Sequence, residues 1–201
     1  MPRTRDQEAY AARRQEILRA AEALFIERGF HQTGMAAICE AAGMSPGALY
    51  RYFPSKAEII KAFVAEEQAE TALLFEQLEG ARDFRKALTD LLWETMRAVG
   101  DEDYARLALE IAAEAARDPE IAEILEGSHA EARDRLTAII RAAQDRGQVG
   151  KQSDARAAAR LLLMLVDGAT GRDLASSSGS AKAMRAALTN VVKGLFGKPG
   201  D

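Results

Sequence analysis

The residues with the most chemistry to offer lie between Gly29 and Lys56. Two short helical stretches, Met35–Ala42 and Pro46–Tyr52, flank the turn Gly43-Met44-Ser45. Two short helices around a glycine-containing turn read as a helix-turn-helix, whose second helix enters the DNA major groove. The residue types fit that task. Thr33 stands where it can cap the first short helix and offer a phosphate its hydroxyl and the helix N-terminus. Ser45 is the expected cap of the second, with Pro46 in its first turn, where a missing N–H costs nothing. Gly47 and Ala48 are small enough to bring the helix backbone close to base edges. Tyr50, Arg51 and Tyr52 supply hydroxyl and guanidinium donors for the groove walls, and Lys56 is read as a phosphate anchor. One of the two tyrosines is equally well read as packing the helix junction. Leu49 and Phe53, four residues apart, belong to the core. Arg13 and Arg14, with Arg3 and Arg5 on a flexible arm, are further DNA candidates, against the commoner reading of a solvated terminus. Cys39 reads as a small buried hydrophobe.

Helices must position these groups, because no strand alternation is visible and Gly and Pro punctuate the chain at helical lengths. The fold class is all-α, with about nine helices. They are expected over 6–28, 35–42, 46–52, 55–79, 83–99, 103–116, 119–147, 154–175 and 181–196. Ser55-Lys56-Ala57-Glu58 has the form of a capping box, and Asp118-Pro119 that of a helix opening. Ser176–Ser180 reads as a polar break, and no repeat of fixed period is present.

Composition narrows the classes. The 201 residues are 48% hydrophobic, 29% charged and 6% aromatic, which is ordinary globular chemistry. One cysteine excludes a disulfide framework, and the longest aliphatic run, Leu161–Val166, is too short to span a bilayer. No apolar segment follows the opening Met-Pro-Arg-Thr-Arg-Asp, so a cytoplasmic setting is expected, with no membrane partner. The net charge of −4 conceals an asymmetry: residues 1–60 carry +1 and the remainder −5. A phosphate backbone feels the local field, so global acidity is a weak objection to DNA. The alternative from another class is a helical-bundle enzyme or metal-binding protein. Glu126-Gly127-Ser128-His129 supplies one Glu-x-x-His motif of the two a di-iron site needs, but His31, the other histidine, has Arg28 at that spacing. No nucleophile triad or glycine-rich phosphate loop is visible, so no catalytic residue, metal or cofactor is expected.

The string Gly29-Phe30, Thr33, Ile38-Cys39, then Ala41-Ala42-Gly43-Met44-Ser45-Pro46-Gly47-Ala48-Leu49-Tyr50-Arg51-Tyr52-Phe53-Pro54-Ser55-Lys56, resembles the DNA-binding domain of the TetR family of transcriptional regulators. Gly34, Cys39 and Met44 depart from the usual pattern, and Gly34 in particular removes a hydroxyl. The resemblance implies a three-helix DNA-binding domain at 1–55 and a larger helical domain at 56–201 that binds an effector and dimerises. It implies a ligand-responsive repressor that binds a palindromic operator as a homodimer. By the same resemblance, a cavity is expected with Trp93, Met96, Tyr104, Leu107 and Ile111 as walls and His129 as a polar contact. Glu110 and Glu114 would stand at its margin and favour a cationic or hydrogen-bond-donating lipophilic ligand, against the blander reading that they face solvent or pair with arginines such as Arg106 and Arg117. The dimer interface is expected on the last two helices, through Leu161, Leu162, Leu165 and Ala169 of one and Met184, Leu188, Val191 and Leu195 of the other.

Overall fold

The structure, a computed structural model, describes residues 2–171 and 178–197, with side chains from residue 7 onward and again from residue 181. Among the described residues there are nine helices: α1 (Pro2–Arg28), α2 (Met35–Ala41), α3 (Pro46–Tyr52), α4 (Lys56–Glu79), α5 (Phe84–Ala98), α6 (Glu102–Ala115), α7 (Pro119–Asp145), α8 (Ala155–Asp167) and α9 (Ser178–Phe196). None of them is long and apolar enough to cross a membrane.

Local chemistry accounts for most boundaries. Ser55 Oγ accepts from the Glu58 N–H at 3.2 Å, as the capping-box spacing predicts. Asp83 accepts from the Lys86 N–H at 3.0 Å, Asp118 from Glu120 at 2.9 Å and Asp154 from Ala157 at 2.8 Å, each at a helix start. The helix expected over 154–175 stops early, at Asp167. Gly168 is its C-cap, and the next residues form turns, with the Gly171 N–H reaching the Val99 carbonyl at 3.1 Å. Residues 172–177 of that expectation, including the start of the expected polar break, lie outside the described residues; Ser178–Ser180 belong to α9.

The chain forms two compact units, Met1–Glu67 with Arg106–Glu126, and Gln68–Ala105 with Gly127–Asp201. The division falls inside α4, inside α6 and inside α7. The first unit has a core of Ile17, Phe25, Ile38, Leu49, Phe53 and Ile60, joined by Ile111 of α6 and Ile121 of α7. Phe25 is its aromatic centre, 4.9 Å from Phe30 and 6.3 Å from Phe63 between ring centroids. The second unit packs α5, α7, α8 and α9 around Leu88, Leu92, Ile140, Ala159 and Leu162. Within it Phe84 and Phe196 meet edge to face at 6.2 Å, joining the start of α5 to the end of α9. A second tie between these helices is ionic: Asp90 accepts from Arg185 and, at 2.6 Å, from Lys86.

The hydrogen bond from Lys86, with that from Arg185, holds the Asp90 carboxyl below the usual carboxylate range. A carboxyl whose folded pKa is depressed contributes stability above about pH 4 and loses it as pH falls through the folded value. Asp90→Asn is therefore expected to lower the thermal midpoint at pH 7 by roughly 1–3 °C, the scale of an exposed ion pair. Melting curves repeated toward pH 3 should show the gap between variant and parent closing.

Candidate nucleic-acid interface

The turn between α2 and α3 is closed by backbone bonds. The Gly43 N–H donates to the Glu40 carbonyl and the Met44 N–H to the Cys39 carbonyl, both at 3.0 Å, the pattern that ends a helix through a left-handed residue. That residue is Gly43, at φ +61, where a side chain would cost roughly 1–2 kcal/mol. Cys39 is buried, and its thiol donates to the Met44 carbonyl at 2.8 Å, a small hydrophobe with its one polar bond satisfied. Beyond the turn Leu49 and Phe53 are fully buried and fix α3 in the core, each worth about 1.5–3 kcal/mol of burial.

What α3 leaves outside is its polar and small face. Ser45, Pro46, Gly47, Tyr50 and Arg51 are exposed, Ala48 and Tyr52 half-buried. A Cβ added at Gly47 would meet nothing within 4 Å, so the glycine answers no need of the folded chain itself. Ser45 holds the N-cap position in extended conformation, but its hydroxyl makes no capping bond, contrary to expectation. Thr33 is a clearer correction. It is completely buried, and its hydroxyl lies 2.8 Å from the Gly29 carbonyl and 3.2 Å from that of Leu24. The hydroxyl ties the α1–α2 turn together and is unavailable to a phosphate. Gly34, not Thr33, is the N-cap of α2.

The first helix packs against the end of α3. Tyr10 stacks on Tyr52 with ring centroids 4.7 Å apart and planes 23° from parallel. One turn later the Arg14 guanidinium lies 4.4 Å from the centre of the Phe53 ring. Arg13 pairs with Glu16 and reaches the Ala42 carbonyl at 3.4 Å. The side chains of Arg3 and Arg5 lie outside the described residues. Tyr10 escaped the sequence reading; its signal was an aromatic on the same helical face as Arg14, at i, i+4.

Lys56 has partners within the fold itself. Its ammonium donates to the Phe30 carbonyl at 2.9 Å and lies 4.1 Å from the centre of the Phe30 ring. Desolvation pulls its pKa below the usual lysine range, and the nearby Glu114 partly offsets this. The Phe30 N–H, in turn, donates to Glu110 at 2.8 Å. Both carboxylates expected at the rim of an effector cavity are thus engaged in the unit that carries α2 and α3. Glu114 additionally stands 3.8 Å from Arg117, in line with the blander reading of that residue.

The expected cavity wall is likewise divided. Leu107 and Ile111 pack in the core of the first unit, whereas Trp93, Met96 and Tyr104 belong to a separate cluster of the second, with Val99, Ala169, Met184 and Leu188. His129 is exposed on α7, where it acts electrostatically on Asp167. Of the expected dimer residues only Leu161 and Val191 are exposed, at 43% and 37%. Leu162, Ala169 and Leu188 are buried within their own unit, and Leu165, Met184 and Leu195 are half-buried. Met164, 59% exposed on α8, is the apolar surface residue that was missed.

Comparison with known proteins bears on the whole chain. Residues 17–63 match the family described as bacterial regulatory proteins, tetR family, and residues 85–197 the family described as BetI-type transcriptional repressor, C-terminal. The chain belongs to the TetR family. Its TetR-family relatives include the HTH-type transcriptional regulator UidR of Escherichia coli K12, 32% identical over 89% of this chain and 92% of that one. Among solved structures, Salmonella enterica GusR is 37% identical, with a TM-score of 0.75 over 92% of this chain and 95% of its own. A SmeT–triclosan complex shares the fold at 24% identity and a TM-score of 0.76, covering 94% and 93% of the two chains. This TetR-family chain is therefore a helix-turn-helix transcriptional regulator, and its relatives are regulators, not enzymes.

The position of Lys56 makes a prediction. Lys56→Ala removes a charged hydrogen bond worth about 1.5–3 kcal/mol and leaves the Phe30 carbonyl without it, so the thermal midpoint should fall. With one of its three N–H donors on the Phe30 carbonyl, the half-buried Lys56 is expected to leave the slope of the salt dependence of DNA binding little changed on removal. A phosphate contact at this residue would instead flatten the log–log slope by about one unit.

Proposed function

We propose that this regulator is a ligand-responsive repressor that binds a palindromic operator as a homodimer. The observation that carries the reading is the face of α3. Leu49 and Phe53 root the helix in the core, while Pro46, Gly47, Tyr50 and Arg51 stand free on the opposite side. In this reading Tyr50, Arg51 and Tyr52 donate to phosphates and base edges, and the bare backbone at Gly47 and Ala48 makes room for close approach. Residues 1–55 supply the DNA contacts, and residues 56–201 the effector and dimer functions. Leu161 and Met164, three residues apart on α8, and Val191 of α9 are exposed apolar side chains that a two-fold mate would cover. The apolar cluster of Trp93, Met96, Tyr104 and Met184 is where a small lipophilic effector is most reasonably sought; the triclosan complex of SmeT supports a ligand of that class. Effector binding would favour a conformer whose α3 helices no longer match the half-site spacing.

Selection from randomised duplexes followed by footprinting tests the DNA reading. It should recover a palindrome, and recovery of no preferred sequence would overturn the operator assignment. Gly47→Ala is expected to leave the melting midpoint unchanged or slightly higher, since alanine favours helix by about 1 kcal/mol and the site is open. The same change should weaken operator binding by crowding the backbone against DNA; filter binding and thermal melts on one preparation would separate the two effects.

The dimer is tested on these exposed side chains. The doubly substituted Leu161→Asp, Met164→Asp chain should keep its helix content by circular dichroism yet sediment as a monomer at micromolar concentration. Its operator affinity should fall by about a hundredfold or more, as the second half-site loses its effective concentration. A parent chain that is itself monomeric at that concentration would contradict the dimer.

A further inference from the structure

Tyr10 is 48% exposed, and its ring is engaged with Tyr52, the last residue of α3, at 4.7 Å. Arg14, one turn along the same face of α1, covers Phe53. Together the two side chains clasp the last residues of α3 and the one that follows. Tyr52 is half-buried and packs against the core, and the exposed Tyr10 ring stacked on it confines the orientation of its side chain. Tyrosine side chains move between a small number of rotamers, and a stacked neighbour selects one.

We propose that Tyr10 is a positioning residue for DNA binding: its ring holds the Tyr52 phenol in the orientation that donates to the operator backbone. The proposal rests on the reading of α3 above and names the second helix on which that contact depends. Tyr10 acts through Tyr52, so its value should vanish when the Tyr52 hydroxyl is absent. Phenylalanine at either position keeps the stack, which separates positioning from support of the fold.

The test is a cycle of Tyr10→Ala and Tyr52→Phe, with Tyr10→Phe as rescue, read as affinity for the duplex recovered by selection with the unsubstituted protein. Tyr10→Ala should weaken binding about five- to tenfold, on the scale of an aromatic pair, while Tyr10→Phe binds as the parent does. In the Tyr52→Phe background, Tyr10→Ala should change affinity by less than about twofold, since the hydroxyl it orients is gone. Equal loss in both backgrounds would overturn the proposal and show Tyr10 to be a fold support or a DNA contact in its own right. A Tyr10→Ala chain that binds normally while Arg51→Ala binds poorly would overturn it and leave the DNA reading intact. Failure of the unsubstituted chain to select any duplex would overturn both.

Discussion

Both polar groups of one backbone residue, Phe30, are held by charged side chains from elsewhere in the chain. Glu110 of α6 accepts from its N–H at 2.8 Å, and Lys56 at the start of α4 donates to its carbonyl at 2.9 Å. Charge-assisted bonds of this kind are short and roughly twice as strong as neutral ones. The residue before it, Gly29, sits at φ +80, and a Cβ there would stand 3.1 Å from Glu110 Oε2. The residue after the next two, Thr33, ties its hydroxyl back to Gly29 and Leu24. With the Phe30 ring packed on Phe25, the whole α1–α2 turn has one arrangement. Since α2 leads into α3 through a turn equally closed by backbone bonds, the direction of the recognition helix follows from this grip.

The features legible in the sequence are those whose physics is local. A capping serine two residues after Phe53, the aspartate before Pro119 and a glycine in the α2–α3 turn each act within five residues, and each is found where the pattern puts it. Thr33 shows where local reasoning fails. A hydroxyl just before a helix satisfies the capping rule, but the carbonyls of Leu24 and Gly29 compete for it, and only the closed turn brings them near. Lys56 and Glu110 fail for the same reason, 26 and 80 residues from the backbone they hold. A lysine at the end of a helix-turn-helix and two glutamates beside an apolar stripe say nothing by themselves about which distant peptide will claim them.

The apolar helices near the end of the chain show a different limit. Periodicity tells that α8 and α9 are apolar on more than one side, but not which side faces which neighbour. Leu162, Ala169 and Leu188 turn into their own unit, while Met164, one turn from Arg160 and Asp167, points outward. Distinguishing them requires the helix phase, and the phase is set by what α5 offers. Phe84 meets Phe196, and Asp90 meets Arg185, which rotates the inner face of α9 toward α5 and leaves Val191 outside.

A chain of net charge −4 can serve DNA because its polar groups are divided by task. Around the helix-turn-helix, the groups that meet inward partners are consumed: Thr33 on two carbonyls, Lys56 and Glu110 on Phe30, Glu114 near Lys56 and Arg117. These bonds balance charge locally and add nothing to the field at the outer face. What remains outward on α3 is Ser45, Tyr50 and Arg51, donors without a carboxylate on their own helix. The local field at a recognition helix is governed by which charges are neutralised within a few ångströms of it, and screening removes the influence of acidic residues farther off. Glu40, the acidic residue nearest the α2–α3 turn in sequence, is exposed on α2, so the sign a phosphate requires is supplied by Arg51, on a helix that carries no carboxylate of its own.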